Sequence, residues 1–281
     1  MTKKKISFQG ELGAYSDMAC RQAMPDFETL PCPDFASAIR AVQKGDAELG
    51  MIPIDNSLAG RVPAIHLLLP ESGLHIIGEH FLPVHHCLLG TQDADLSLLE
   101  EVRSHMHALP QCQKIIQELD LKEHISGDTA KAAREVASME DPKVAAISSE
   151  LAADIYGLKV LKNNIQDEDH NMTRFLILSR EPEDLDENLK DEDVITTLLF
   201  RVRNIPAALY KALGGFATNG VNMTKLESYM LGGEFHATQF YLDIQGKPSS
   251  PAVSRALQEL DYFTASLKIL GSYKAHPLRL S

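Results

Sequence analysis

Between Glu181 and Asp193, eight of thirteen residues are acidic and Lys190 is the single base. Like charges at this density repel one another and hold a segment in solvent. The run over 181–193 therefore reads as a linker, with a separate folding pattern on each side of it. At 281 residues the chain is long enough to give each side its own core.

Upstream, over residues 1–180, strands and helices alternate. A strand over Ile6–Gln9 turns at Gly10–Gly13 into a helix through Met18 and Arg21. Glu28–Cys32 is a short extended piece. Phe35, Ala38, Ile39 and Val42 then recur at helical spacing behind Asp34, a natural N-cap, and Gly45 stops them. Leu49–Ile54 reads as a buried strand, and a helix carrying Ile65, Leu68 and Leu69 follows Gly60. Leu74–Leu89 is a long extended crossing into a second lobe. That lobe is expected to hold a short helix over Ser97–Val102, a loop over Ser104–Leu109 and a helix over Pro110–Leu119. A helix from Asp128 or Thr129 to Met139 follows, then a strand over Val144–Ile147 and a helix over Glu150–Tyr156 closed by Gly157. Such alternation implies mainly parallel sheets with right-handed crossovers. Two lobes, about 1–80 plus 163–180 and 81–162, leave a cleft suited to a small ligand.

Downstream, over 194–281, the order becomes βαββαβ. The expected strands are Val194–Val202, Val221–Leu231, Phe235–Ile244 and Leu267–Tyr273, and the helices Pro206–Phe216 and Pro251–Leu260. Pro206 suits a first helical turn, where no amide donor is needed, and Gly232-Gly233 suits a hairpin. This is the ferredoxin-like order.

Charge narrows the partners. With 27 Lys+Arg against 39 Asp+Glu the net charge is −12, which argues against nucleic acid or an anionic membrane. It also poses a problem, because an anionic ligand has to be held by local groups against an unfavourable overall field. No apolar run is long enough to span a bilayer. Met1–Lys5 is basic but leads into a short strand and not a signal core, so a cytoplasmic location is expected. Cys20, Cys32, Cys87 and Cys112 form no CxxC pair and read as free thiols. Neither His85-His86-Cys87 nor His105-Met106-His107 makes a metal site. Adjacent strand positions face opposite ways, and the second pair lacks further ligands.

The densest polar cluster is Asn171-Met172-Thr173-Arg174-Phe175, at the mouth of the apolar run Phe175–Leu178. Polar groups at a strand mouth are where an α/β protein keeps its ligand, although Thr and Arg also begin ordinary strands. Three further stretches accompany it in order: Gly10–Ser16, Pro53-Ile54-Asp55-Asn56-Ser57 and Ser104–Cys112. Together with the βαββαβ module they resemble the prephenate dehydratase family, and the match spans nearly the whole chain. The resemblance implies a two-lobed, type II periplasmic-binding-protein-like catalytic region followed by an ACT regulatory domain. The few residues before Ile6 leave no room for the chorismate mutase fused to some relatives, which implies a monofunctional enzyme.

The implied reaction is the decarboxylative dehydration of prephenate to phenylpyruvate. Aromatisation drives it, so no cofactor is expected. By the resemblance Thr173 is catalytic, either as proton donor to the departing hydroxyl or as an oriented hydrogen-bond donor. Asn56, Ser57, Ser104, Gln111, Arg174 and Phe175 are the implied substrate-binding residues. Asn56 and Ser57 also suit helix capping, and Arg174 also suits a structural salt bridge, since its neighbour Thr173 points the other way on a regular strand. Ala14, Glu11, Asp55, Met106 and His107 depart from the residues common in the family. At the last two, Pro and Gln are common.

In the downstream module Asn204, Pro206, Ala207, Ala208 and Leu209 resemble the family's GAL effector motif, with Ala207 in place of Gly. Glu227-Ser228 keeps half of its ESRP motif. With Asn222, Met223 and Thr224 on the facing strand of a partner, these imply an L-phenylalanine site in a homodimer or homotetramer. A purely structural dimerisation module is the alternative. For the whole chain, the alternatives are arogenate as substrate, or a non-catalytic amino-acid sensor.

Overall fold

The computed structural model describes residues 3–230 and 237–279, so the Gly232-Gly233 turn and the expected strand ends at Leu231 and Phe235 lie outside the described residues. The chain divides into two compact units. One runs to Leu68 and resumes over His80–Leu176; the other comprises Leu69–Glu79 and the chain from Ile177 onward.

The first lobe contains β1 (Lys5–Gln9), α1 (Tyr15–Ala23), β2 (Glu28–Cys32), α2 (Phe35–Lys44), β3 (Leu49–Asn56), β4 (Gly60–Arg61), α3 (Pro63–Leu68) and β5 (His75–Pro83). α2 begins where Asp34 accepts the Ser37 amide at 2.6 Å and ends at Gly45 with φ +85°. β1 pairs in parallel with both β2 and β3. Ile6, Phe8, Met51, Ile52 and Ile54 are wholly buried.

The second lobe contains β6 (Cys87–Gly90), β7 (Glu101–His105), α4 (Gln113–Glu118), β8 (Lys122–Ser126), α5 (Thr129–Met139), β9 (Val144–Ser148), α6 (Glu150–Tyr156) and β10 (Lys159–Lys162). Its sheet runs β10-β6-β9-β7-β8. β7 is parallel to β8 and β9, whereas β6 is antiparallel to β9 and β10. Val144 and Ala146 of β9 pack into one core, and Ala145 and Ile147 into another, as period-two alternation requires of a strand buried on both faces. The chain returns through β11 (Met172–Ser179), which completes the first sheet in the order β2-β1-β3-β11-β5.

Three expectations fail here, the first being the Ser104–Leu109 loop, since Ser104 and His105 close β7. Ser97–Val102 is not a helix. A single 3₁₀ turn at Leu96–Leu98 precedes β7, whose alternating burial of Val102 and Ser104 is a strand signature. The Pro110–Leu119 helix is split into a 3₁₀ turn at Leu109–Gln111 and the short α4.

In the second unit, β12 (Val194–Val202), α7 (Ala208–Thr218), β13 (Met223–Met230), β14 (Ala237–Gln245), α8 (Pro251–Phe263) and β15 (Thr264–Lys274) build a four-stranded sheet of order β13-β14-β12-β15. Leu198, Phe200, Phe240, Leu242 and Ile244 pack beneath Ala212, Phe216, Val253 and Leu260 of the two helices. The acidic run is anchored within this unit, because Lys247 Nζ donates to the Glu187 and Leu189 carbonyls and Asp191 accepts the Lys247 amide.

Candidate active site

The ends of β3 and β11 lie side by side, and their side chains decide what faces the space beyond. Thr173 and Phe175 of β11 share one face and line a cavity of about 250 Å³. Arg174, between them, faces away. It is 5% exposed and its guanidinium lies 3.6 Å from Asp55. Further lining comes from Asn56 and the turn after β3, the first residues of α1 (Tyr15, Ser16), the crossing residues Val84 and His86, and Asn171. The second lobe contributes His105, His107, Ala108, Gln111 and the first residue of α5.

One hydrogen-bond chain crosses the cavity floor, and its direction follows from its first member. Asn56 Oδ1 accepts the Leu58 and Ala59 amides at 3.0 and 2.8 Å. Two backbone donors fix the oxygen end of this amide. Asn56 Nδ2 must then be the end that reaches Asn171 Oδ1 at 2.8 Å and Thr173 Oγ1 at 3.0 Å. With its oxygen occupied, Asn171 donates through Nδ2 to Gln111 Oε1 at 2.6 Å. Gln111 Oε1 also receives His86 Nε2 at 3.1 Å, which places the imidazole proton on Nε2. His86 Nδ1 is left to accept from the Tyr15 hydroxyl at 2.7 Å, a proton shared with the His85 carbonyl at 2.8 Å.

For Thr173 the consequence is direct. Its oxygen accepts from Asn56, so its own proton is free to point into the cavity. A hydroxyl held in this way is an oriented donor.

The same chain keeps the floor neutral. Burial pulls the His86 pKa down to about 4, and His85 lowers it further, against the opposing Gln111 contact. Burial of the Tyr15 hydroxyl pushes its pKa well above the ordinary value, and burial likewise raises the Cys112 and Cys87 thiols. These groups are uncharged at neutral pH. As pH falls from about 6.5 to 4, the unfolded chain protonates His86 before the folded one does. Stability is therefore present above 6.5 and is lost downward, by roughly 3 kcal/mol from this group. A His86→Gln variant is expected to lose that much less between these pH values in denaturant titrations.

Of the expected site residues, the structure brings the catalytic candidate Thr173 and the substrate-binding candidates Asn56, Gln111 and Phe175 to the cavity. It does not bring Ser57, Ser104 or Arg174. Ser57 Oγ donates to the His170 carbonyl and accepts the Met172 amide, clamping β3 to β11. Ser104 is wholly buried and donates to the Ile147 carbonyl at 2.6 Å, because strand alternation turns it into the core. Tyr15, Ser16, His86, His105 and His107 were not among the expected site residues. The strand-to-helix turn at Gly10–Ser16 and the two histidine pairs were their only signals. Among the described residues no cluster of three metal-ligating side chains exists.

The residues resembling effector motifs lie in the second unit. Asn204–Ala207 form the turn between β12 and α7, and Ala208 and Leu209 open the helix. Pro206 therefore precedes the helix and does not lie in its first turn, and the N-cap Ala207 sits in the left-handed region at φ +62°. Asn222 precedes β13 and Met223 and Thr224 begin it; Met223 pairs with Ile244, itself opposite Thr196 near the start of β12. Within one chain the two halves of the set therefore lie at opposite ends of the sheet. Glu227 and Ser228 are mid-strand, opposite Tyr241 and Phe240.

The family model for prephenate dehydratase matches residues 6–183. A bifunctional N-acyl-homoserine lactone acylase/prephenate dehydratase from Komagataeibacter europaeus is 53% identical, over 98% of this chain and 97% of its own. A chloroplastic arogenate dehydratase/prephenate dehydratase from Arabidopsis thaliana is 36% identical, over 97% of this chain and 73% of its own. The structure of prephenate dehydratase from Arthrobacter aurescens in complex with L-Phe superposes with a TM-score of 0.87 at 29% identity, covering 98% of this chain and 91% of that one. The fold is thus a two-lobed, type II periplasmic-binding-protein-like region followed by an ACT module. The chain belongs to the prephenate dehydratase family and is a decarboxylating hydro-lyase.

Proposed function

We propose that this chain converts prephenate to phenylpyruvate, with Thr173 as the donor to the departing hydroxyl. In the reaction the bond from the ring to its carboxylate breaks and carbon dioxide leaves. The electron pair moves through the diene, and the opposite carbon–oxygen bond breaks. Hydroxide is a poor leaving group, so a donor aimed at that oxygen lowers the barrier, and positioned proton transfer is worth about 10²–10⁴-fold. The single observation carrying the reading is the hydrogen bond from Asn56 Nδ2 to the Thr173 oxygen, which leaves the Thr173 hydroxyl to donate into the cavity. A neutral, largely apolar cavity also favours conversion of a carboxylate into neutral carbon dioxide. Asn56, Gln111 and Phe175 position the ring. Ser57, Ser104 and Arg174 support the strands that carry these residues.

The second unit is read as an L-phenylalanine sensor, in line with the bound ligand of the Arthrobacter aurescens neighbour. The α7 start of one copy and the β13 start of another would complete the site in a homodimer or homotetramer. Ala207 at φ +62° holds a strained turn there, at a cost of about 1–2 kcal/mol. A cytoplasmic location accords with this metabolism, and among the described residues no helix is long and apolar enough to cross a membrane.

The test supplies prephenate and arogenate side by side with no metal or nucleotide added, and reads phenylpyruvate from prephenate by its absorbance in alkali and phenylalanine from arogenate by amino-acid analysis. Prephenate turnover well above arogenate turnover is expected. Folded protein inactive on prephenate would overturn the reading. The 53% identity to a bifunctional acylase favours one second reading, release of homoserine lactone from its N-acyl form. The same preparation assayed for that release decides whether the chain shares both activities.

A further inference from the structure

A dianion needs positive charge, yet among the described residues the cavity lining includes neither lysine nor arginine. Its ionisable side chains are Tyr15, His86, His105 and His107. Tyr15 and His86 hydrogen-bond to each other, and His86 is held on its other side by Gln111, so neither supplies charge. His105 and His107 are different. They leave the end of β7 and the turn after it, with rings 5.2 Å apart and tilted by 58°. His105 Nδ1 accepts the His107 amide at 3.3 Å, so the neutral ring carries its proton on Nε2 and Nδ1 stays against the backbone.

Resting on the prephenate reading above, we propose that His105 and His107 are the carboxylate-recognition element of this cavity, and that His105 takes up a proton when a dianion enters. The charge that holds the ligand is then created on binding and not carried beforehand. This answers how a chain of net charge −12 retains a dianion. A permanent cation would need a partner in the empty site, whereas a neutral imidazole does not.

The surroundings set the sign. On its own turn His105 faces His107, and from α5 it faces Asp128, whose oxygen is engaged by the Lys131 amide at 2.7 Å. Its register partner on β8 is the uncharged Ser126, and the Arg103 guanidinium earlier on β7 lies 3.7 Å from Glu135. Elsewhere on the lining the titratable groups are the neutral His86 and Tyr15. Burial first, and His107 second, push the His105 pKa below its ordinary value, while Asp128 opposes them. A bound carboxylate acts in the same direction as Asp128. The His105 pKa therefore rises on binding, and affinity increases as pH falls through the ordinary histidine range near 6.5.

The test compares the wild type, His107→Gln and the His105→Asn/His107→Gln double variant, each checked for fold by circular dichroism. Prephenate kcat/KM is measured from about pH 6 to 8. Proton uptake is measured by calorimetry of prephenate binding in phosphate and in Tris, on a Thr173→Ala background that stops turnover. Wild-type kcat/KM is expected to fall about five- to tenfold across this range. Uptake of about half a proton per ligand, averaged over this range, is also expected from the same linkage, and both effects should shrink in His107→Gln and vanish in the double variant. A flat wild-type profile without proton uptake would overturn the proposal, as would a double variant that keeps both. Failure of the wild type to turn over prephenate at any pH would instead overturn the dehydratase reading, and the calorimetric proton count would still decide the role of the pair.

Discussion

Thr173→Val is expected to lower kcat on prephenate by about 10²–10⁴-fold. Valine matches threonine in shape but has no hydroxyl, so the change removes the free proton and little else. The structural cost is small for a specific reason. Asn56 Nδ2 keeps two other acceptors, Asn171 Oδ1 at 2.8 Å and the Met172 carbonyl at 3.3 Å. One neutral hydrogen bond is worth only about 1 kcal/mol of stability. The loss in turnover is thus far larger than any loss in folding free energy, and measuring both on one preparation separates chemistry from damage. Thr173→Ser keeps the hydroxyl and is expected to recover most of the rate.

The largest stability effect is expected at the other end of the chain. Arg279 reaches Glu79 through two bonds, from Nε at 2.8 Å and from Nη2 at 2.7 Å, and Nη2 also approaches Asp243 at 3.4 Å. The Glu79 and Asp243 side chains are wholly buried and that of Arg279 is 12% exposed. Removing one member of a buried ion cluster leaves charge without compensation, which costs about 3–5 kcal/mol. Arg279→Leu should lower stability by that amount, measured from the denaturant midpoint of the second unit. Arg279→Lys keeps the charge but loses the two-pronged geometry, and should cost less. Thr197 and Tyr273 extend the same cluster, since the Thr197 hydroxyl reaches Asp243 at 2.7 Å and the Tyr273 hydroxyl at 2.9 Å. Arg279 therefore fastens a segment two hundred residues earlier, ending at Glu79, into its own unit.

How much of this was legible depends on the range of the interaction. Period-two alternation alone separates Thr173 and Phe175 from Arg174, and the structure keeps that separation. The helix starts at Asp34 and Asp128 were legible because a cap acts within four residues. Ser104 was assigned by likeness of motif. Its burial follows from β7 being a strand, and β7 was hidden by the leucine pair just before it. β8 and β10 are short edge strands with weak patterns, and both went unread. The hydrogen-bond chain was beyond sequence reasoning altogether. Asn56 meets Asn171 across 115 positions and His86 meets Gln111 across 25, so only the folded geometry reveals a chain with one direction. The placement of Leu69–Glu79 with the second unit was missed for the same reason.

Asn56→Asp tests the account most directly, because it changes almost no volume yet reverses the hydrogen bond to Thr173. A carboxylate at residue 56 only accepts, so the Thr173 proton is drawn toward it and away from the cavity. With native circular dichroism, kcat on prephenate should drop at least 100-fold. Turnover close to that of the parent protein would mean that the direction of this bond is irrelevant, and the role assigned to Thr173 would fail.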